Sequence, residues 1–215
     1  MWLHSAEKFT DRADVKQVVV VVAPEDREAF VEKFGASLAF MGITLAEGGE
    51  HRAASVRRGL EKLSPDIDVV AIHDAARPCI ATAWIDRVFE AGARTGAAIL
   101  AIPVVGTLKR VDAEKLVTET VDRTGLWEAQ TPQVFSRDVL TRAFAAAAVA
   151  GSQPTDEAQL VEAIGQRVTI VPGSPINLKI TSREDLRLAE QAMKALPAAR
   201  LAGPAHPFAD DGMWR

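Results

Sequence analysis

The sequence has too little cysteine to be stapled. Cys79 stands alone among 215 residues, so no internal disulfide can form and no extracellular framework is implied. One cysteine and four scattered histidines also leave no zinc-type ligand spacing. Cys79 follows a proline and reads as a small apolar residue. There is no excess of positive charge either. Lys and Arg number 25 against 29 Asp and Glu, giving a net charge of −4 and a pI of about 5.6. That excludes a general nucleic-acid binder but leaves room for a local basic pocket facing a phosphorylated small molecule. Long apolar runs are missing. The longest, 18–24, is far too short to span a bilayer, and the first residues lack the apolar stretch of a secretory signal. The expectation is a cytoplasmic protein with neither nucleic acid nor membrane as partner. What remains is ordinary for a globular chain: 48% hydrophobic and 25% charged residues, in a length sufficient for one sizeable α/β domain.

Hydrophobic patterning alternates between strand and helix. The β-branched run at 18–23 suits a strand buried on both faces of a parallel sheet. Pro24 with Glu25 and Asp26 then marks a helix start, predicted to run to about 33. Strands are predicted at 43–46, 68–73 and 97–105, with helices at 52–63 and 83–94 between them. This order points to a doubly wound, mostly parallel sheet. The pattern then changes. Segments 107–111 and 116–121 flank a polar turn and read as a hairpin leaving the main sheet. Helices are predicted at 137–150 and 156–164, and late strands at 167–171 and 178–180. A final helix at 182–196 has Ser182 as N-cap and Asp185 at the capping-box position. From 197 the chain turns Ala-, Pro- and Gly-rich and reads as a flexible tail.

Several segments hold chemistry. His73-Asp74-Ala75-Ala76-Arg77-Pro78 lies just past the end of a buried strand, the edge where open α/β sheets bind ligands. Asp74 can hold a metal or a hydroxyl and Arg77 a phosphate; a surface ion pair is the plain alternative. Gly48-Gly49 opens a helix, where backbone can approach an anion closely. The run from Arg123 to Gln133 joins an Arg, a Thr, a Trp and two amides with little regular pattern, like a functional loop, with core packing the simplest reading of Trp127. Thr155-Asp156-Glu157 reads first as a helix N-cap with acids in its first turn. Lys179, inside an apolar stretch, is an outward residue or a reaching cation.

Taken in order, the stretches 48–55, 73–78, 107–110, 120–133, 155–157 and 177–181 closely resemble the 2-C-methyl-D-erythritol 4-phosphate cytidylyltransferase family, over roughly residues 1–196. The resemblance implies a Rossmann-like nucleotide-diphospho-sugar transferase fold. It also implies a protruding β-arm at about 106–122 that embraces a second subunit, hence a homodimer. The implied reaction joins CTP and a sugar-alcohol phosphate with release of pyrophosphate, assisted by Mg²⁺. Carried over by position, Arg123 and Lys179 hold the attacking phosphate, and Arg77, Thr107, Thr131 and Thr155 help to bind it. Asp74 faces substrate and metal. Gly49, Glu50, Arg52, Ser55 and Ala75 meet the cytidine end.

Two departures accompany the likeness. The family begins with a strand and a loop of the form A-A-G-x-G-x-R-M followed by a lysine, whereas here no glycine precedes Gly35. The expectation is a domain at 1–196 that is N-terminally truncated relative to the family, lacking that strand and loop, with weak turnover and an unpaired sheet edge. Gly106 also stands where an Asp usually precedes the Thr-x-Lys motif. The alternatives are a ribitol-5-phosphate cytidylyltransferase and a non-catalytic sugar-phosphate-binding dimer.

Overall fold

A computed structural model of the chain describes residues 1–151 and 154–197. The first elements are α1 (Trp2–Thr10), β1 (Val19–Val22), a 3-10 turn at Pro24–Asp26, α2 (Arg27–Phe40), β2 (Thr44–Glu47), α3 (Arg52–Leu60) and β3 (Val69–Ile72). Next come α4 (Thr82–Thr95), β4 (Ala97–Pro103), β5 (Leu108–Val111), β6 (Val117–Val121) and β7 (Trp127–Ser136). The chain continues with α5 (Arg137–Ala150), α6 (Glu157–Ala163), β8 (Thr169–Pro172) and α7 (Arg183–Lys194). None of these helices is long and apolar enough to cross a membrane.

The main sheet has the order β3–β7–β4–β8. β4 and β8 are parallel and β7 runs antiparallel to both of its neighbours, so β3, β4 and β8 share one direction. Adjacent residues of β7 point to opposite faces, as a pleated strand requires. Val134 packs with Phe9, Trp84, Ile85 and Val88 on the α1–α4 side. Phe135 packs with Leu140, Leu160 and Val161 on the α5–α6 side. The core is thus two layers of helix on one sheet.

α4 shows how tight that packing is. A Cβ on Gly92 would collide with Val134. Gly92→Ala is therefore expected to force the helix off the strand and cost about 1–3 kcal/mol, read as a lower urea midpoint with an unchanged m-value.

The sheet is not continuous. β1 and β2 form a separate parallel pair. Between β1 and β3 runs a cleft of about 560 Å³, covered by Trp2, Ala6 and Phe9 of α1 and by Val56 and Leu60 of α3. Among the described residues β1 pairs only with β2, and β3 only with β7, so each turns a strand edge to the cleft, in line with the expected unpaired edge. Residues 19–22 are accordingly half-buried and Val69 is exposed. This corrects the expectation of a run sealed on both faces. α1 still ties the two parts together: Trp2 lies 5.1 Å from Phe30 and 5.3 Å from Phe34 on α2, while Phe9 enters the main core.

Other expectations shift in detail. α2 runs on to Phe40 because Phe30, Phe34 and Leu38, four residues apart, line one face. Residues 127–136, read as a functional loop over most of their length, form the ten-residue strand β7, and Trp127 is 41% exposed rather than core. The strand expected at 178–180 is an extended stretch joined to the body by the Ile180 N–H on the Ala76 carbonyl (2.8 Å). Ser182 and Asp185 do form the capping box of α7. The hairpin β5–β6 stands as its own two-stranded sheet. The tail expected at 197–215 lies, from 198 on, outside the described residues.

Candidate active site

The C-terminal end of β3 and the middle of the antiparallel β7 bring the chemistry-bearing residues together. His73-Asp74 continues directly from β3. The Asp74 N–H donates to Thr131 Oγ1 on β7 (3.0 Å). That leaves the threonine proton for His73 Nδ1 (3.0 Å), so the ring's other nitrogen donates to the Arg77 carbonyl (3.0 Å). Desolvation lowers the His73 pKa to about 4, in keeping with a neutral ring in this relay. The turn that presents Asp74 is thereby fixed by a buried network.

Asp74 is the hub of the charges. Its Oδ2 meets Lys179 Nζ at 3.0 Å and Arg77 Nε at 3.6 Å. Its Oδ1 meets Arg52 Nη2 at 3.5 Å. Burial alone would raise this carboxyl, but Lys179, Arg52 and Arg77 outweigh it and hold it below the usual range. Arg77 is itself buried, and its Nη1 donates to the Asn177 carbonyl (2.7 Å). Desolvation pulls its guanidinium below the ordinary value.

Lys179 reaches Asp74 because Asn177 is locked. The fully buried Asn177 amide donates to the Thr131 carbonyl (2.9 Å) and to Gln130 Oε1 (3.3 Å). Two residues on, Lys179 emerges over Asp74 with its side chain 44% exposed. It is the cation of this group most open to a ligand; the side chains of Arg52 and Arg77 are 36% and 9% exposed.

The Gly48-Gly49 loop adjoins this cluster through α3. Ser55 Oγ accepts from the Gly49 N–H (3.0 Å), and no Cβ fits at Gly49, where it would strike Ala54. Arg52, the first residue of α3, leans across to Asp74. Glu50 and Ala75 are exposed at the rim.

Not every expected residue converges. Arg123 and Thr107 are exposed at the foot of the β5–β6 hairpin, with no ion pair from Arg123 among the described residues. Thr155 gives its N–H and hydroxyl to Gln159 Oε1 (2.9 and 3.3 Å). Thr131 turns its hydroxyl inward to Asp74 and His73. Sequence reasoning passed over four residues that build the site: His73, Gln133, Asn177 and Glu157. All sit within the matched stretches, but their buried contacts depend on partners far along the chain.

Among the described residues no three His, Cys, Asp or Glu side chains gather as a metal site. The fit to Mg²⁺ therefore rests on Asp74 alone, an ionised carboxylate of the hard oxygen type. This suits an ion that takes one or two carboxylates and completes its shell with water and substrate phosphates.

The geometry has close counterparts. The family model described as 2-C-methyl-D-erythritol 4-phosphate cytidylyltransferase matches residues 1–195. A protein of that name from Rhodopirellula baltica is 44% identical over 201 residues, covering 88% of this chain and 81% of its own. The bifunctional enzyme IspD/IspF of Anaeromyxobacter dehalogenans is 46% identical over 96% of this chain, which spans only 54% of that longer protein. The crystal structure of 2-C-methyl-D-erythritol 4-phosphate cytidylyltransferase from Thermus thermophilus superposes with a TM-score of 0.75 at 36% identity, covering 90% of this chain and 87% of that one. By its motifs, its fold and these matches, this chain belongs to the 2-C-methyl-D-erythritol 4-phosphate cytidylyltransferase family.

Proposed function

We infer that this chain is a cytidylyltransferase joining CTP and 2-C-methyl-D-erythritol 4-phosphate. The products are 4-diphosphocytidyl-2-C-methyl-D-erythritol and pyrophosphate, a step in isoprenoid precursor synthesis. The observation that carries the reading is the Asp74 hub, a single carboxylate held by Lys179, Arg52 and Arg77 at the open end of the sheet.

An oxygen of the sugar phosphate attacks the α-phosphorus of CTP, a P–O bond forms, and the bond to pyrophosphate breaks. Two polyanions must meet, so fixed positive charge is the main requirement. Lys179 receives the acceptor phosphate from the Asp74 side. Arg123, on the exposed hairpin foot, closes over that phosphate. Arg77 and Thr131 support from behind: one holds the 177–179 stretch and the other the Asp74 backbone. Thr107 and Thr155 flank the acceptor. Gly49, Glu50, Arg52, Ser55 and Ala75 form the wall for the cytidine end. Asp74 would hold Mg²⁺, and the ion would supply Lewis-acid neutralisation of the triphosphate charge.

The β1–β3 cleft opens beside Arg52, Ser55 and Asp74. A strand laid in it would end among the phosphates, where the family's glycine-rich loop acts. The chain is expected to bind the sugar phosphate at the Asp74 hub. Phosphorus NMR of the chain with CTP, Mg²⁺ and either sugar phosphate tests the reading. Pyrophosphate forming with the methylerythritol ester alone upholds it. Faster turnover of ribitol 5-phosphate replaces the substrate. Tight sugar-phosphate binding with no turnover favours the non-catalytic dimer, which the open cleft would explain.

The hairpin carries the dimer proposal. An isolated two-stranded hairpin is marginal in water, and here Val111, Leu116 and Val117 are 49, 66 and 61% exposed. A second copy covers them. Leu116→Asp with Val117→Asp is expected to halve the particle mass in light scattering while leaving the main-body helix signal intact. A dimer that persists with both aspartates would move the interface elsewhere.

A further inference from the structure

Glu157 is the one carboxylate that the fold buries completely among the described residues, at 0% exposure on the first residue of α6. Its Oε1 accepts from Arg52 Nη1 at 2.6 Å, across 105 residues of sequence. Its Oε2 is buried without a hydrogen-bond partner among the described residues. Burying an acid this way is costly, and packing alone would favour an apolar side chain. Desolvation pushes the Glu157 carboxyl up, against the pull of Arg52.

The backbone around it is clamped. Gln133 of β7, also buried, donates to Asp156 Oδ2 (2.8 Å) and accepts from the Ala158 N–H (3.1 Å). These bonds fix the residues on either side of Glu157 against the sheet. Its carboxylate therefore stands at a set place, and Arg52 must come to it.

Arg52 is held at both ends of its fork. One arm meets Glu157 at 2.6 Å and the other meets Asp74 at only 3.5 Å. The short contact is charge-assisted and strong, and the long one is weak. Freed from Glu157, the guanidinium would turn to Asp74, which can accept both arms of an arginine. It would then compete with Lys179, which holds Asp74 Oδ2 at 3.0 Å. The cleft would also lose the face of Arg52 that stays open to ligand.

We propose that Glu157 is a positioning residue that draws Arg52 away from Asp74 and presents it to the nucleotide, leaving Asp74 to Lys179. The proposal rests on the reading that CTP lies along Arg52. The acceptor phosphate is met by Lys179, which Arg52 reaches only through Asp74, so its affinity depends less on Glu157 than that of CTP does.

The test uses the full chain with the isosteric Glu157→Gln, Arg52→Ala and the double variant. Calorimetry measures CTP with Mg²⁺ and the sugar phosphate separately, and thermal melts confirm folding. Glu157→Gln is expected to weaken CTP about tenfold and to change sugar-phosphate affinity by a smaller factor. The double variant should bind CTP no worse than Arg52→Ala, because Glu157 acts only through Arg52. Losses that add in the double variant, or a melt shift with unchanged CTP affinity, overturn the proposal. Nitrogen-15 spectra of the Arg52 side chain in the ligand-free protein give a second readout. Hindered guanidinium rotation should ease or change partner in Glu157→Gln. An unchanged Arg52 signal refutes the positioning role even if the wild type binds no CTP, which would itself refute only the nucleotide reading.

Discussion

Lys179→Ala is expected to weaken binding of 2-C-methyl-D-erythritol 4-phosphate by roughly ten- to a hundredfold, because a charge-assisted hydrogen bond to a phosphate is worth about 1.5–3 kcal/mol. The side chain is anchored at its base, steered at its tip by Asp74 and still open to a ligand. Asn177 fixes the backbone two residues before it, and Asp74 holds the ammonium at 3.0 Å with 44% of the side chain still exposed. The fold should tolerate the change, since Asp74 keeps Arg52 and Arg77 as partners. Lys179→Arg should recover only part of the affinity, because a planar fork does not replace a point charge at the same distance. Calorimetric titration of the two variants decides it. Affinity within twofold of wild type in Lys179→Ala would remove this residue from the acceptor site.

Acid should destabilise the protein over an unusually high window, through His73. Its folded pKa is about 4, lowered from 6.5 chiefly by desolvation. Between those values the unfolded chain holds the extra proton and the folded one does not, so stability rises with pH across that window. At pH 7 the contribution is fully present; as pH falls from about 6.5 to about 4 it costs on the order of 3 kcal/mol. Asp74 acts in the same sense at lower pH: its contribution is present above the ordinary carboxylate value of 3.8 and is lost only as pH falls through its lower folded value. The two effects are thus separated along the pH axis. Urea midpoints from pH 4 to 7 in metal-free buffer should show the slope. His73→Gln should lower stability at pH 7 and flatten the slope above pH 4, while a slope unchanged in that variant would assign it to other groups.

How much of this could be read from the chain depends on the range of the forces involved. Helix α5 and the capping box of α7 follow from local spacing and side-chain caps, and the structure places both as expected. The β5–β6 hairpin was legible for the same reason, since its turn and its alternation are contiguous. β7 was not legible. Its middle holds Gln130, Thr131 and Gln133, which look like loop residues until β3 and β4 flank them and Ser174, His73 and Asp156 take up their polar groups. The extended stretch before α7 was misread in the opposite sense. Its alternating apolar residues suggest a strand, but its fixed points are Asn177 against β7 and one backbone bond to Ala76.

The sequence by itself determined the class of the fold, the hairpin arm, the family and the identity of the charged residues, because these rest on periodicity and on residue types in order. It could list Asp74, Arg77, Arg52 and Lys179 but not their arrangement. Only the tertiary structure decided that Asp74 sits at their centre and that Thr131 faces inward. It also decided that Glu157 is buried against Arg52 and that a cleft separates β1 from β3. Each of these depends on which distant segments share a low-dielectric interior. There, a buried polar group must find its partner wherever the packing brings one.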